Sequence, residues 1–447
     1  MQSSNPNMET ENNSHSFGVY VDRNGKRWMR LDNAAKIYPA ARKKNWSSIF
    51  RLSVTLNNKI DTTILKSALD VTIKRFPSIA ARLRRGFFWY YLEEINEAPD
   101  ISEEKSYPLT NISRKETKKC AFRVIAYKNR IAVEIFHSLT DGTGALVFLK
   151  TLTAEYLTQK HGESIPCEHG ILDRYEKPHE EELEDSFQKH VGNIAASRSE
   201  SNAWHITGTP EPDNFTNLTC FKLSVDECKK KAREYGVSVN TLLASVLMAA
   251  LQNLQLKKVS NQKKLKPVKV LLPINLRRLF GSSTLRNFAF YTTPEINPRL
   301  GFYSFDEICK IVHHHMALNL TTKVMTTKIT ANVKNERSMI VRIMPLFIKN
   351  IVMKAVFNTV GEKKSCISMS NLGAVQIPEE MKPYIERFDF ILGVQATIPS
   401  NCAVISYGDD LYINFVRNII EPQLEYEFFE ILKSLGLTAE VQTNSKD

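Results

Sequence analysis

The sequence predicts an α/β protein in which two similar layers of strands and helices pack side by side. Strand-like and helix-like periodicities alternate along both halves of the chain, the order of elements in the first half returns in the second, and a polar stretch at 176–215 separates them. A length of 447 residues, with 43% hydrophobic and 24% charged residues, suits a globular protein of two or three domains.

The first half reads as antiparallel strands with helices on one side. Asp61 is placed to cap a helix that ends near Arg75, because Pro77 disfavours helix in the residue before it. We expect strands at 49–56, 79–83, 87–95, 121–127 and 130–136, and helices at 61–75 and from 141 or 142 onward.

The second half repeats this order of elements. We expect strands at 218–223, 268–272, 366–369, 388–395, 403–407 and 411–416, and helices at 225–235, 238–256, 305–320 and 422–435. Two such layers leave a cleft between them, which is the usual place for a ligand.

These patterns divide the chain into four regions. We expect a polar, disordered N-terminal arm at 1–17, an N-terminal subdomain at 18–175, a crossover or linker at 176–215 and a C-terminal subdomain at 216–447. The crossover contains an acidic run that we expect at the surface, made of Glu180, Glu181, Glu182, Glu184 and Asp185.

The net charge of +12 and the pI near 9.2 favour anionic partners. We expect no nucleic-acid partner, because no helix-turn-helix, zinc-finger or RNP-like signature accompanies the charge. A cofactor that carries several phosphates, an anionic membrane surface and a merely solvated basic surface all remain open explanations.

The seven cysteines form no CxxC pair, which argues against a zinc site or a disulfide framework and fits a reducing compartment. We recognise no secretory signal and expect a cytoplasmic protein. His313, His314 and His315 are consecutive, so on a helix their side chains point about 100° apart and do not close on one ion. We therefore expect no metal.

The strongest candidate for a membrane span that we find in the sequence, 339–360, falls short of the ~20 apolar residues that a span needs. Arg342, Pro345, Lys349 and Lys354 interrupt it. We interpret it as an amphipathic helix that either faces the core or forms a lid or membrane-surface patch with its basic residues outward. Peripheral contact with a membrane therefore stays open.

The central motif is HSLTDG at 137–142, between a strand and a helix. His137 falls on the apolar face of the strand at 130–136, and Gly142 follows in a tight turn. This arrangement suits a general base held at the mouth of a cleft. The alternatives are a structural histidine bonded to backbone and, for Asp141, a simple helix N-cap rather than a buried ion pair.

HSLTDG resembles the HxxxDG signature of the CoA-dependent acyltransferase superfamily, which has the chloramphenicol-acetyltransferase-like fold. LPINLRR (272–278) followed by RNF (286–288) resembles the PVSLR…GN block of wax ester synthases, and SNLG (370–373) resembles their SNxxG block. The resemblance extends over about 49–435 and is greatest to stand-alone alcohol acetyltransferases. Condensation domains carry a second histidine where this chain has Phe136, and the DFGWG block of plant members is only faintly matched at 389–393.

The resemblance implies a monomer whose two subdomains form a pseudo-dimer around a tunnel. His137 is then the general base that takes the proton of an alcohol as it attacks acyl-CoA, such as acetyl-CoA, without an acyl-enzyme. Asp141 points away from the substrate and pairs with an arginine, for which Arg277 is the candidate. Acyl-CoA is a co-substrate, and no bound cofactor or CoA-binding residue is identified.

The resemblance also places the oxyanion donor among Asn287, Ser370 and Asn371, whose alternative roles are turn formation and strand capping. The acceptor is a small alcohol or a lipid. Two other functions stay open: an acyltransferase or condensation enzyme with a carrier-bound or lipid acyl donor or an amine acceptor, and a non-catalytic binding protein that keeps the fold.

Overall fold

Three β-sheets organise the chain in the computed structural model, which describes residues 18–21, 25–42, 48–104, 106–196, 201–356, 362–395 and 397–444. The predicted N-terminal arm at 1–17 lies outside the described residues. The fold is mixed α/β, as the sequence predicts.

The strands of the first half are β1 (Val19–Val21), β2 (Arg27–Arg30), β3 (Ile49–Leu56), β4 (Ala81–Arg85), β5 (Tyr90–Glu94), β6 (Ser102–Glu103), β7 (Phe122–Tyr127) and β8 (Arg130–Phe136). Its helices are α1 (Ile37–Ala41), α2 (Thr62–Thr72), α3 (Arg114–Thr117), α4 (Gly142–His161), α5 (Glu180–Leu183) and α6 (Ser186–Lys189). Asp61 caps α2 as predicted, because its side chain accepts from the backbone N–H groups of Thr63 and Ile64.

The strands of the second half are β9 (Asn217–Ser224), β10 (Val268–Asn275), β11 (Ala289–Thr292), β12 (Glu295–Ile296), β13 (Ile367–Ala374), β14 (Ile385–Leu392), β15 (Ser400–Tyr407), β16 (Asp410–Arg417) and β17 (Glu440–Thr443). Its helices are α7 (Val225–Glu234), α8 (Val239–Lys258), α9 (Arg277–Phe280), α10 (Phe305–Asn319), α11 (Thr322–Arg337), α12 (Met339–Ile343), α13 (Leu346–Val356) and α14 (Gln423–Ser434).

The strands pair into a four-stranded sheet (β1-β2-β5-β4), a five-stranded sheet (β14-β3-β8-β7-β6) and an eight-stranded sheet (β11-β10-β13-β15-β16-β9-β17, with β12 beside β10). The five-stranded sheet packs on α2 and α4, and the eight-stranded sheet packs on α8 and α14. The five-stranded and the eight-stranded sheets each pack on a separate hydrophobic core, so the two predicted layers are present, and the four-stranded sheet adds Met29, Leu83 and Leu92 to the first core. The strands β1 and β2, and with them the four-stranded sheet, were not predicted.

Strand β14 comes from the second half but forms an edge of the first half's sheet. It runs antiparallel to β3, with Phe390 opposite Leu52, and both Phe388 and Phe390 are buried in the first core. The predicted boundary, which assigns all of 216–447 to the C-terminal subdomain, is therefore wrong for this strand. Its alternating apolar pattern fits either sheet, so only the partner strand decides where it packs.

The acidic crossover is not a surface linker, and that expectation is wrong for its second part. Glu182, Glu184 and Asp185 are buried, whereas Glu180 and Glu181 are exposed. Glu182 accepts from the buried guanidinium of Arg75, with 2.7 Å between Oε1 and Nη2. A buried arginine requires a carboxylate partner, and the crossover supplies it.

The described part of the stretch at 339–360, which ends at residue 356, is two helices rather than one, and its core-facing interpretation is wrong. Helix α12 ends before Pro345, and α13 begins after it. Arg342 and Lys354 are exposed, as the surface interpretation expects, but Lys349 is buried and most of the other outward side chains are apolar.

One helix in the described part of the chain, α8, is long and apolar enough to span a membrane by length and composition. The sequence had not singled it out for this. Its most apolar window is 78% buried and forms the centre of the second core, between the eight-stranded sheet and α14.

Candidate active site

His137 follows directly after β8, the middle strand of the five-stranded sheet, and its ring is held on three sides. Its backbone N–H donates to the carbonyl of Ser48 at 2.8 Å, which fixes the chain as it leaves the sheet. Tyr38 stacks on the imidazole with ring centroids 4.5 Å apart, and Phe50 contacts it edge-on at 4.9 Å. The imidazole is therefore rigidly placed and half-buried.

Asn287 fixes the tautomer of that imidazole. Its amide nitrogen donates to the backbone carbonyl of His137 at 3.0 Å and to Oδ2 of Asp32 at 3.3 Å. Its oxygen therefore faces the ring and lies 3.1 Å from Nδ1 of His137. Because an amide oxygen only accepts, Nδ1 carries the hydrogen and Nε2 carries the free lone pair.

Burial lowers the pKa of the His137 imidazole below its ordinary value, and the carboxylates of Asp141 and Asp32 offset only part of this effect. The ring is consequently neutral at neutral pH. A neutral imidazole with its lone pair on Nε2 is the form that a general base requires.

Asp32 is a residue of this site that the sequence analysis missed. It is fully buried, accepts from the backbone N–H of Ala35 at 2.7 Å, and lies 3.9 Å from the guanidinium of Arg286. Burial raises its pKa, while Arg286 and the two N–H donors favour its ionised form. No motif pointed to Asp32, because it lies outside every strand and helix that the sequence predicts.

Asp141 lies at the N-terminus of α4 and all its hydrogen bonds go to the protein framework. One oxygen accepts from the backbone N–H groups of Thr143 and Gly144 at 3.1 and 3.2 Å. The other accepts from Arg277 at 2.8 Å and from the backbone N–H of Phe288 at 2.9 Å. Asp141 is thus both the helix cap and one half of a buried ion pair, and it holds the turn rather than the imidazole.

The structure brings Arg277 to Asp141, the pair that the motifs implied. The same guanidinium also makes two bonds to backbone carbonyls: Nε of Arg277 donates to Thr284 at 2.6 Å, and Nη2 donates to Arg286 at 2.5 Å. Arg277 therefore connects the turn after His137 to the loop that carries Asn287. The crossover supports the same loop, because the N–H of Leu285 donates to the carbonyl of Glu182 at 2.8 Å.

Two glycines allow close approach at the turn. A Cβ on Gly142 would lie 2.9 Å from a methyl group of Leu372. A Cβ on Gly144 would overlap both the hydroxyl of Thr140 and the carbonyl of Leu285, well inside van der Waals contact. The loop of the second half therefore lies directly against the start of α4.

Strand β13 brings Ser370 and Asn371 towards this turn. Ser370 is half-buried and lies two residues before Leu372, whose side chain lies closest to Gly142, although a bulge interrupts β13 between Asn371 and Ala374. The amide of Asn371 donates to Asn240 at 3.1 Å and its oxygen accepts from the N–H of Gly373 at 2.8 Å. Within the described ranges the Ser370 hydroxyl has no hydrogen-bond partner.

These contacts separate the three oxyanion candidates. The amide hydrogens of Asn287 are both donated to protein oxygens, so Asn287 positions His137 and has no N–H left for an oxyanion. Asn371 donates one amide hydrogen to Asn240 and accepts from the N–H of Gly373, which is the alternative role foreseen for it, and its second amide hydrogen has no partner among the described residues. The hydroxyl of Ser370 has no partner in the part of the chain that the structure describes, so its hydrogen is available to an oxyanion.

No metal site accompanies these residues. Among the described residues no group of three His, Cys, Asp or Glu side chains could hold an ion. The rings of His313 and His314 pack edge to face, and Nε2 of His315 shares a hydrogen bond with the Thr292 hydroxyl at 2.7 Å. The seven cysteines are free.

A cavity of about 710 Å³ lies beside the four-stranded sheet, near Asp32 but not at His137. Its wall is rich in aromatic side chains and includes Leu31, directly before Asp32 in the chain, and Lys36, four residues after it. The tunnel between the subdomains stays a prediction.

No protein-family model matches the chain, and no curated protein matches it. Solved structures do. The trichothecene 15-O-acetyltransferase TRI3 from Fusarium sporotrichioides matches with 12% identity and a TM-score of 0.61 over 94% of this chain and 97% of that one. F. sporotrichioides TRI101, complexed with coenzyme A and T-2, matches with 11% identity and a TM-score of 0.62 over 93% and 99%.

A wax ester synthase/diacylglycerol acyltransferase from Marinobacter aquaeolei VT8 matches with 12% identity and a TM-score of 0.52 over 91% of this chain and 100% of that one. At such identities the similarity shows the fold, and the fold agrees with the one that the motifs implied.

Proposed function

From the fold that this chain shares with CoA-dependent acyltransferases, we propose that it is a CoA-dependent O-acyltransferase acting on an alcohol. The observation that carries the proposal is the tautomer of His137. Asn287 accepts from its Nδ1, and no described residue bonds its Nε2, so the lone pair is free for a substrate proton.

In the proposed reaction, Nε2 of His137 takes the proton of the acceptor hydroxyl as its oxygen attacks the thioester carbonyl. The tetrahedral intermediate then collapses, the C–S bond breaks, and the CoA thiolate takes the proton back from Nε2. The ester and free CoA leave, and His137 returns to its neutral form without an acyl-enzyme. Such a positioned base contributes ~10²–10⁴-fold to the rate.

The negative charge that develops on the carbonyl oxygen requires a donor. We assign it to the hydroxyl of Ser370, which is the candidate not already engaged with the protein. One such donor typically contributes ~10²–10³ in rate.

Coenzyme A fits the chemistry of the chain as a co-substrate. The TRI101 neighbour is complexed with coenzyme A, and this chain carries a net charge of +12, which suits a ligand with several phosphates. Individual CoA-binding residues are not assigned.

The acceptor and the acyl donor define the rival functions. An enzyme that takes a carrier-bound or lipid acyl donor, or an amine acceptor, would use the same histidine as its base. A non-catalytic binding protein would need no base. The test is thiol release from acetyl-CoA, and from acetyl-phosphopantetheine on a carrier protein, with panels of alcohols and amines. Release that requires CoA and an alcohol supports the proposal. Release only from the carrier or only with amines favours the rival enzyme, and no release with any pair contradicts catalysis.

A further inference from the structure

Helices α12 and α13 and the loop between β4 and β5 contact one another and expose a surface rich in large apolar side chains. Phe87 is 72%, Met339 71% and Ile340 70% exposed, although large apolar side chains are normally buried. We call this surface the apolar patch, and it consists of Phe87, Phe88, Met339, Ile340, Ile343, Phe347, Ile348, Ile351 and Val352.

Specific contacts hold α13 with this face outward. The ammonium of Lys349 lies 3.4 Å from the ring centroid of Trp89 and donates to the carbonyl of Phe88 at 2.9 Å. The backbone N–H of Leu346 donates to the carbonyl of Phe87 at 2.9 Å, and the Asn350 amide donates to the hydroxyl of Tyr90 at 3.1 Å. Lys349 therefore points inward, and no described residue covers the apolar side chains on the other side of the helix.

The exposed charged side chains that adjoin the patch in the chain are positive, whereas Glu336, just before them, is half-buried and forms an ion pair with Lys36. From residue 337 to residue 356 the chain has four basic residues and no acidic one. Arg337, Arg342 and Lys354 are exposed there, and Arg85 is exposed beside Phe87. A second copy of this chain docked on the same face would bring these cations together, whereas an anionic lipid surface would neutralise them.

We propose that the apolar patch docks this protein on an anionic lipid bilayer, with Phe347 and Ile351 in the acyl boundary and Arg342 and Lys354 at the headgroups. A short helix with large apolar residues on one side and cations at its margins lies in the plane of the interface in this way. The contact of Lys349 with the Trp89 ring holds the opposite, apolar side of α13 towards the lipid.

The apolar patch also adjoins the cavity beside the four-stranded sheet. Phe87, Phe88 and Arg342 belong both to the patch or its edge and to the wall of the 710 Å³ aromatic cavity. The cavity therefore opens at the edge of the proposed lipid contact. Docking itself does not depend on the acyltransfer reaction proposed above.

The test is co-sedimentation of the full chain with vesicles of phosphatidylcholine alone and of an equimolar mixture with phosphatidylserine. Wild type is expected to bind the mixed vesicles and to be released by salt. Replacing both Phe347→Ser and Ile351→Ser removes buried apolar area and is expected to lower binding by roughly tenfold or more. Replacing Arg342→Glu and Lys354→Glu is expected to abolish the preference for phosphatidylserine.

The matched control replaces two other exposed apolar residues, Leu300→Ser and Phe302→Ser, which are 79% and 68% exposed and lie outside the patch. This control is expected to bind as wild type does. Equal losses in both pairs of variants, or no binding by wild type, would overturn the proposal. A second result would also overturn it: wild type elutes as a dimer in size-exclusion chromatography, and only the Phe347→Ser/Ile351→Ser variant elutes as a monomer. The patch would then be an interface between two copies of the chain.

Discussion

The side-chain oxygen of Asn287 lies 3.1 Å from Nδ1 of His137, while its nitrogen donates to Asp32 and to the backbone of His137 itself. One amide thus joins a loop of the second half to the strand end of the first. Its three contacts leave His137 a single neutral tautomer, with Nε2 available as a base.

Replacing Asn287→Ala removes the acceptor for Nδ1, so we expect both tautomers to be populated and kcat to fall about 10²-fold with KM little changed. Steady-state kinetics checks the rate, and nitrogen NMR of the imidazole checks the tautomer. Asn57→Ala, which removes an exposed amide bonded to the Pro383 carbonyl, is the control. A single Nδ1–H tautomer in the Asn287→Ala protein would contradict this role.

Replacing Asp32→Asn removes a negative charge that raises the pKa of His137 against the effect of burial. Without it the imidazole holds its proton less well, so the acidic limb of the kcat/KM profile is expected to move to lower pH. The rate at neutral pH falls as well, because Asn287 loses an acceptor. A pH–rate profile decides this, and an acidic limb that stays in place or moves upward counts against the contact.

Replacing Asp141→Asn leaves the guanidinium of Arg277, which is only 11% exposed, without its carboxylate. We therefore expect a loss of ~3–5 kcal/mol in the free energy of unfolding together with lost activity. Urea denaturation measures the loss. Asp61→Asn is the matched control, because Asp61 is also a helix N-cap but is exposed, and asparagine caps nearly as well as aspartate. A fully stable Asp141→Asn protein that had lost only rate would disprove the structural role.

The two glycines of the turn should differ in their tolerance of alanine. Gly144→Ala meets the Thr140 hydroxyl and the Leu285 carbonyl, and the backbone carbonyl cannot move away, so we expect a loss of ~1–3 kcal/mol in unfolding free energy. Gly142→Ala meets the end of the flexible Leu372 side chain and should lose less. Thermal or urea unfolding compares them, and the reverse order would contradict the packing described for this turn.

The parts of the site that the sequence predicts are those that local pattern determines. The alternation of β8 and the helical spacing after Gly142 define the strand, turn and helix around His137 within one short stretch. The pairing of Asp141 with Arg277 came from the resemblance, because nothing in a single sequence relates two residues 136 positions apart.

What the sequence could not predict depends on distant partners. Asp32 becomes part of the site through Asn287, 255 positions away, and Glu182 is buried because Arg75, 107 positions before it, is buried too. The face that α13 turns outward was mistaken for a similar reason. The periodicity of a helix is the same whichever side is covered, and only the contact of Lys349 with Trp89 decides it.

The most direct test of the central claim is the rate of acceptor-dependent thiol release from acetyl-CoA by wild type and by His137→Ala, with His314→Ala as the control for an exposed histidine outside the site. We predict that release falls by ~10²–10⁴-fold in His137→Ala alone, because Nε2 is the base. Release that proceeds equally well without the His137 imidazole would contradict the account.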